Sequence, residues 1–401
     1  MKKALWVIIT VMAVLCSCRD SRTAADQRQG DTLRLKYAEK LTIVRHEGFT
    51  EVLLADPWNT GKTLHRYILV NDDVNENDDV NENDDENEND DVNVNLNQYP
   101  NSSVIRVPLK RSVIATSVQC GLVEHLGKRE AIAGVCDLQY INLPWVQEEC
   151  RKGRIADCGS GLQPTIEKII DLRPDALFLS PFQNSGGYGK LETLQVPIIE
   201  MADYMESSAL GRAEWMKFYG MLFGKEKEAD SLFAAVEKNY MSLRDKVSSF
   251  KSQVAGKHRP SPKILMDKQT GSVWYVPGGR STIGRLIADA GADYPWQGDD
   301  HSGSLPLSFE SVLEKGGPCD IWLFRYNSPH AITAKELLSE KPAYSQFKAF
   351  QKGEIYGCNT ATSTFYEDTP FRPDLLLRDF ITICYPDLNL GEPVYFVKVK
   401  N

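Results

Sequence analysis

Gln163-Pro164-Thr165-Ile166-Glu167-Lys168-Ile169-Ile170-Asp171-Leu172-Arg173-Pro174-Asp175-Ala176-Leu177-Phe178-Leu179 sets a helix directly against a strand. Proline at the start opens a helix running to Leu172, because its missing N–H is one of the donors that a first helical turn leaves unpaired anyway. Ala176-Leu177-Phe178-Leu179 follows as an unbroken apolar run. A strand without a polar side is buried on both faces. Such strands alternating with helices imply a parallel sheet covered on both faces.

The same rhythm extends in both directions. Upstream, residues 104–107 read as a strand, 117–126 as a helix stopped by Gly127, and 131–135 as a strand. Downstream, 197–199 is a further strand, which makes 104–208 a first α/β lobe. Residues 209–262 break the alternation. Trp215, Phe218, Tyr219, Leu222 and then Leu232, Phe233, Val236 and Tyr240 recur at helical spacing with no strand between them, which predicts a helical connector. A second alternating unit fills 263–401, with strands at 263–266, 273–276, 320–324 and 354–356. Its helices are expected at 281–290, from Phe309, at 342–350 and at 374–384. Ahead of both units, 39–103 reads as a β meander with strands at 41–44, 52–55 and 67–70. The expected fold class is therefore α/β. Two Rossmann-like lobes with mainly parallel sheets are joined by a long helical connector, with a ligand cleft between them and an N-terminal meander. A chain of 401 residues suits two lobes of about 150 residues plus such extras.

The N-terminus speaks to compartment. Lys2 and Lys3 precede an apolar run over 4–15 that ends at Leu15-Cys16-Ser17-Cys18. The run is short for a membrane span and has signal-peptide length. Its end resembles a bacterial lipobox, with Cys18 as the acylated residue and Cys16 the alternative; a plain cleaved signal peptide is the competing reading. Residues 1–17 would be the leader and 18–38 a polar tether, placing the protein in the periplasm or cell envelope, held on a bacterial membrane by a lipid anchor.

The formal charge of -9 is local in origin, because residues 72–95 form four tandem hexapeptides carrying twelve acidic and no basic side chains. The remainder is close to neutral, and no basic patch points to nucleic acid. Asp73-Val74-Asn75-Glu76-Asn77 resembles the opening of a calcium loop, but Asp78 stands where glycine is required and Asp84 where glutamate is required. Such dense like charge reads instead as a solvated, disordered insertion. Seven cysteines follow Cys18, an odd number without a C-x-x-C pair. Buried free thiols are the preferred reading, with a Cys150–Cys158 bridge the alternative. The six histidines show no ligand spacing, so no metal site is expected. No G-x-S-x-G, H-E-x-x-H or G-x-G-x-x-G motif occurs, and Thr60-Gly61-Lys62-Thr63 lacks the first glycine of a phosphate loop.

A family resemblance rests on five segments in order. They are Leu122 to Gly127 with Ile132 to Val135, the stretch quoted above, Tyr275-Val-Pro-Gly278-Gly279 through Gly291, Leu307-Ser308-Phe309-Glu310-Ser-Val-Leu, and Phe347 to Tyr356. Together they resemble the class III periplasmic substrate-binding proteins of ABC importers, which serve ferric siderophores, haem and cobalamin. The resemblance implies a monomer that captures a metal chelate and delivers it to an importer permease and its ATPase. It also implies that Glu167 and Glu310, one per lobe, dock onto that permease. No cofactor and no catalytic residue are expected. A chelate-processing enzyme on the same lobes, or a surface lipoprotein binding a partner protein through 39–103, is the alternative.

Ligands of open α/β sheets bind beyond the carboxyl ends of the strands. Loops read as lying there offer Arg111, Asp137, Tyr140, Phe182, Gln183 and Tyr204 from the first lobe. The second offers Trp274, Tyr275, Arg280, Arg325, Tyr326 and Phe365. Aromatic faces would stack on a flat ligand, and Arg111, Arg280 and Arg325 would neutralise an anionic chelate, which tilts the expectation towards anionic ferric siderophores.

Overall fold

The computed structural model describes residues 30–72, 96–183, 187–254 and 260–400. The leader, Cys18, the repeat beyond Asp72 and Asn184 lie outside the described residues.

The first sheet is an accessory one, in the order β1 (Asp31–Leu33), β2 (Leu41–Arg45), β3 (Phe49–Ala55), β4 (Thr63–Asn71), β5 (Ser102–Val107). Strands β2 to β4 are the meander read from sequence. Two readings change. The tether ends sooner than Ala38, since Asp31–Leu33 already pairs with β2. Residues 104–107 do not open the first lobe: β5 pairs in parallel with β4, Ile68 opposite Val104. A parallel partner needs a crossover connection, and the acidic repeat falls in that crossover.

The first lobe is a five-stranded parallel sheet, ordered β12-β11-β6-β7-β8, from β6 (Ser112–Ile114), β7 (Ile132–Val135), β8 (Ala156–Asp157), β11 (Ala176–Leu179) and β12 (Ile198–Glu200). A hairpin of β9 (Gly159–Ser160) and β10 (Gln163–Pro164) projects beyond β8. Helices α1 (Ser117–His125), α2 (Pro144–Arg151) and α3 (Ile166–Leu172) connect these strands. Ala176–Leu179 is buried at every residue, as an apolar run flanked by helices requires.

Helices α4 (Ala209–Glu214), α5 (Met216–Leu222) and α6 (Glu226–Val254) follow without a strand. In the second lobe, β13 (Ile264–Met266), β17 (Ile321–Tyr326) and β18 (Ile355–Asn359) are parallel, with β19 (Val397–Lys398) added antiparallel. Strands β14 (Gln269–Thr270), β15 (Val273–Pro277) and β16 (Ser304–Leu307) form a separate antiparallel sheet. Its helices are α7 (Thr282–Asp289), α8 (Phe309–Gly316), α9 (Ala334–Glu340), α10 (Lys348–Gln351), α11 (Phe365–Asp368) and α12 (Pro373–Cys384). The helix expected over 342–350 is a 3-10 turn, Pro342–Gln346, followed by the short α10. No described sheet takes strands from both lobes. All seven described cysteines are free thiols, so no Cys150–Cys158 bridge forms.

The lobes meet through α1 and α11. An added Cβ at Gly121 would stand 2.5 Å from the carbonyl oxygen of Glu367, so the absence of a side chain sets the helix separation there. Gly121→Ala is expected to cost roughly 1–3 kcal/mol through overpacking, measured as a lowered midpoint in urea unfolding; an unchanged midpoint would show that the junction yields freely. Alongside, Asn142 Nδ2 donates to the carbonyls of Thr360 (2.5 Å) and Ser363 (3.1 Å), and its backbone N–H to Glu367 Oε1 (2.9 Å). The loop after β7 thus touches the loop after β18, and carboxyl ends face each other across the junction.

On the connector side, the chain entering the body is clasped. Buried Glu214 accepts the backbone N–H groups of Lys36 (3.0 Å), Tyr37 (2.7 Å) and Ala38 (3.0 Å). Buried Glu206 accepts those of Glu39 (2.9 Å) and Lys40 (2.8 Å), together with Trp215 Nε1 (2.8 Å). The same turn reaches the second lobe, where the Thr282 hydroxyl donates to the Glu206 carbonyl (3.4 Å) and Arg285 Nη1 to the Ser207 hydroxyl (3.3 Å).

Candidate functional site

The candidate site is built from connections that leave the carboxyl ends of the parallel strands. Five aromatic side chains are exposed among the described residues, and each lies in such a connection: Tyr140 after β7, Phe182 after β11, Tyr204 after β12, Tyr275 after β13 and Tyr366 after β18. Leu162, at the tip of the β9–β10 hairpin after β8, is 81% exposed. Other exposed large apolar side chains, Leu96, Val104, Ile170, Val394 and Val397, lie elsewhere, so it is the aromatic ones that fall together on these connections. Gln183 is exposed next to Phe182.

The loops are held by their own polar groups. Asp137 takes a left-handed conformation (φ 50°) and its Oδ2 accepts from Gly161 N (3.0 Å), fixing the β7 loop to the hairpin that carries Leu162. Asp203 is buried and receives Gln119 Nε2 (2.9 Å), the Tyr219 hydroxyl (3.1 Å) and Arg212 Nε (2.9 Å). The neighbouring Tyr204 hydroxyl donates to the Pro181 carbonyl, which ties two aromatic-bearing loops together. Partial burial raises the Tyr204 phenol above its ordinary range, so it stays protonated at neutral pH.

Several residues expected at this site are elsewhere or engaged. Arg111 precedes β6, so it lies at the amino end of the sheet, where Nε and Nη2 donate to the Leu172 carbonyl (3.0 and 2.9 Å). Trp274 is fully buried. Its Nε1 donates to the Met266 carbonyl (3.0 Å), and its ring packs 5.8 Å from Trp322 and 5.5 Å from Phe347. Strand alternation puts Trp274 in the core and Tyr275 outside. Phe365 is buried among Tyr395 and Phe396, leaving Tyr366 as the exposed ring of α11. Arg325 donates through Nε and Nη2 to both oxygens of Asp267 (2.9 and 2.7 Å). Arg280 is exposed and paired with Asp300 at 2.8 Å. Tyr326 is half-buried, its hydroxyl accepting from Ile332 N (3.2 Å). Glu167 and Glu310 are exposed in the first turns of α3 and α8. No group of three or more His, Cys, Asp or Glu among the described residues is arranged to hold a metal ion.

The sequence profile of the periplasmic binding protein family matches residues 113–362. The chain belongs to that family. The match begins inside β6, after the accessory sheet. Among relatives of this periplasmic binding protein is the uncharacterized lipoprotein MJ0878 of Methanocaldococcus jannaschii, 26% identical over 306 residues, covering 74% of this chain and 70% of the relative. Among solved structures, a periplasmic heme binding protein from Pseudomonas aeruginosa superposes with a TM-score of 0.58 at 18% identity, over 73% of this chain and 99% of that one. The molybdate periplasmic binding protein MolA of Haemophilus influenzae does so at 0.54 and 16% identity, over 70% and 89%. These likenesses establish the two-lobe fold. The ligands of the two neighbours differ in kind, so the fold alone names none.

Proposed function

We propose that this periplasmic binding protein captures a metal chelate between its lobes and delivers it to an ABC importer, held at the membrane through an acylated Cys18. The observation that carries the reading is the segregation of exposed aromatics onto the strand-end connections of both lobes, where an open α/β sheet takes its ligand. The site is binding machinery: the Asp137 and Asp203 carboxylates are occupied by loop amides and an arginine, in structural roles. Tyr140, Phe182, Gln183, Tyr204, Tyr275 and Tyr366 are the contacts proposed for the ligand, with Leu162 beside them.

Phe182→Ala and Tyr366→Ala, one on each lobe, are each expected to weaken chelate binding about tenfold. Removing one stacking ring is worth about 1–1.5 kcal/mol. Titration calorimetry checks this, and because both side chains are exposed, the circular dichroism spectrum should not change. A chelate recovered intact from the protein by native mass spectrometry supports binding, whereas an altered chelate would count for the enzymatic alternative. Wild-type affinity in both variants would remove the aromatic rim from the proposal.

A further inference from the structure

The charges of the proposed site select among chelates. Between the end of each parallel strand of the two lobes and the helix that follows, every cation among the described residues is matched by a carboxylate. Arg325 is forked onto Asp267 and Arg280 lies on Asp300. Lys268 lies on Glu340 (2.6 Å), His301 on Asp299 (3.0 Å) and His330 on Glu336 (2.8 Å). Arg111, the third arginine expected to meet an anion, is at the far end of its sheet. The connection after β18, residues 360–366, is uncharged. Up to the next helix, the loop after β7 carries Asp137 and no cation, the loop after β8 is uncharged with Asp157 closing the strand before it, and residues 180–186 carry no charge at all.

From this pairing we infer that the ligand is a chelate of zero or positive net charge, gripped through aromatic and hydroxyl surface, and that polyanionic chelates are disfavoured. The inference rests on the chelate-binding reading and names the ligand class for that site. Its basis is electrostatic complementarity: a polyanion needs a free cation, whereas the cations of these strand-end loops are neutralised before the ligand arrives and carboxylates are in excess. Breaking Arg325 from Asp267 would strand a half-buried carboxylate beside the incoming anion. Ligand charge follows from coordination chemistry. Ferric iron held by three hydroxamates, each losing one proton, is neutral. Held by three catecholates, each losing two, it carries three negative charges. The two are otherwise similar in metal, donor number and size.

The experiment uses the full acylated chain in detergent and titrates it, by quenching of its tryptophan fluorescence, with a ferric trihydroxamate, a ferric tricatecholate and cyanocobalamin, which is neutral overall. The expected result is saturable binding of a neutral chelate, at least about tenfold tighter than the tricatecholate, with an affinity that changes little between low and physiological salt. Asp300→Ala, which releases Arg280, is expected to improve tricatecholate binding several-fold while leaving neutral chelates unchanged. Tighter binding of the tricatecholate by the unmodified protein, or no gain in Asp300→Ala, would overturn the charge inference and leave the chelate-binding reading standing. Binding of none of the three would overturn the reading itself.

Discussion

Glu167→Lys combined with Glu310→Lys is expected to abolish uptake of the ligand by cells while its affinity for the purified protein stays within about twofold of wild type. Both carboxylates stand in solvent in the first turn of their helices, α3 in one lobe and α8 in the other. Neither is used by the proposed ligand site. A glutamate in a first turn also offsets the positive end of the helix dipole, so a purely structural role must be separated from docking. The second helix has its own cap, since the Ser308 hydroxyl accepts from Ser311 N (3.2 Å). The residue's own backbone N–H and the same hydroxyl hold the Glu310 carboxyl below its usual range. An exposed side chain in such a setting changes folding stability little. Loss of transport with wild-type affinity and a wild-type unfolding midpoint therefore assigns both residues to a contact with the permease. Each single reversal should leave partial transport, because one lobe still engages. Undiminished uptake by the double variant would remove them from that contact, and lost affinity would place the effect inside the protein.

The lobes, the connector and the helices that carry Glu167 and Glu310 were legible from the chain because they depend on periodicity. The apolar run 176–179 and the helical spacing from Trp215 to Tyr240 each bury a face that the pattern itself displays. What could not be read was partnership. Residues 104–107 alternate like any strand, and whether they pair with β4 or with β11 is decided by contacts distant in sequence. That one ambiguity moved Arg111 from the carboxyl to the amino end of the sheet. Arg280 and Arg325 were read as free because Asp300 and Asp267, 20 and 58 residues away, gave no local sign of pairing. Trp274 and Tyr275 were both placed at the ligand, although a period of two allows only one of two neighbours to face out. The hairpin exposing Leu162 was missed because β9 and β10 are only two residues each.

The largest loss of stability is expected from Glu214→Ala, about 3–5 kcal/mol in urea unfolding, a large share of the 5–15 kcal/mol that holds a typical domain. Glu214 is fully buried on α4, and its two oxygens take three successive backbone N–H groups from residues 36–38. Lys217 Nζ lies 3.2 Å away as its counter-charge. Removing the carboxylate orphans those three donors, and an unmet buried N–H costs about 1–3 kcal/mol. It also leaves Lys217, mostly buried, without its partner. Glu214→Gln separates charge from geometry. One amide oxygen still accepts, but the amide nitrogen now points a donor at a donor, so an intermediate loss is expected. The clasp also ties the incoming chain to the turn that Thr282 and Arg285 of the second lobe contact through Glu206 and Ser207. Glu214→Ala should therefore speed amide exchange at residues 36–40 and in α7 together. A loss below about 1 kcal/mol, or faster exchange confined to residues 36–40, would mean that the strap merely lies on the connector and does not brace the junction of the lobes.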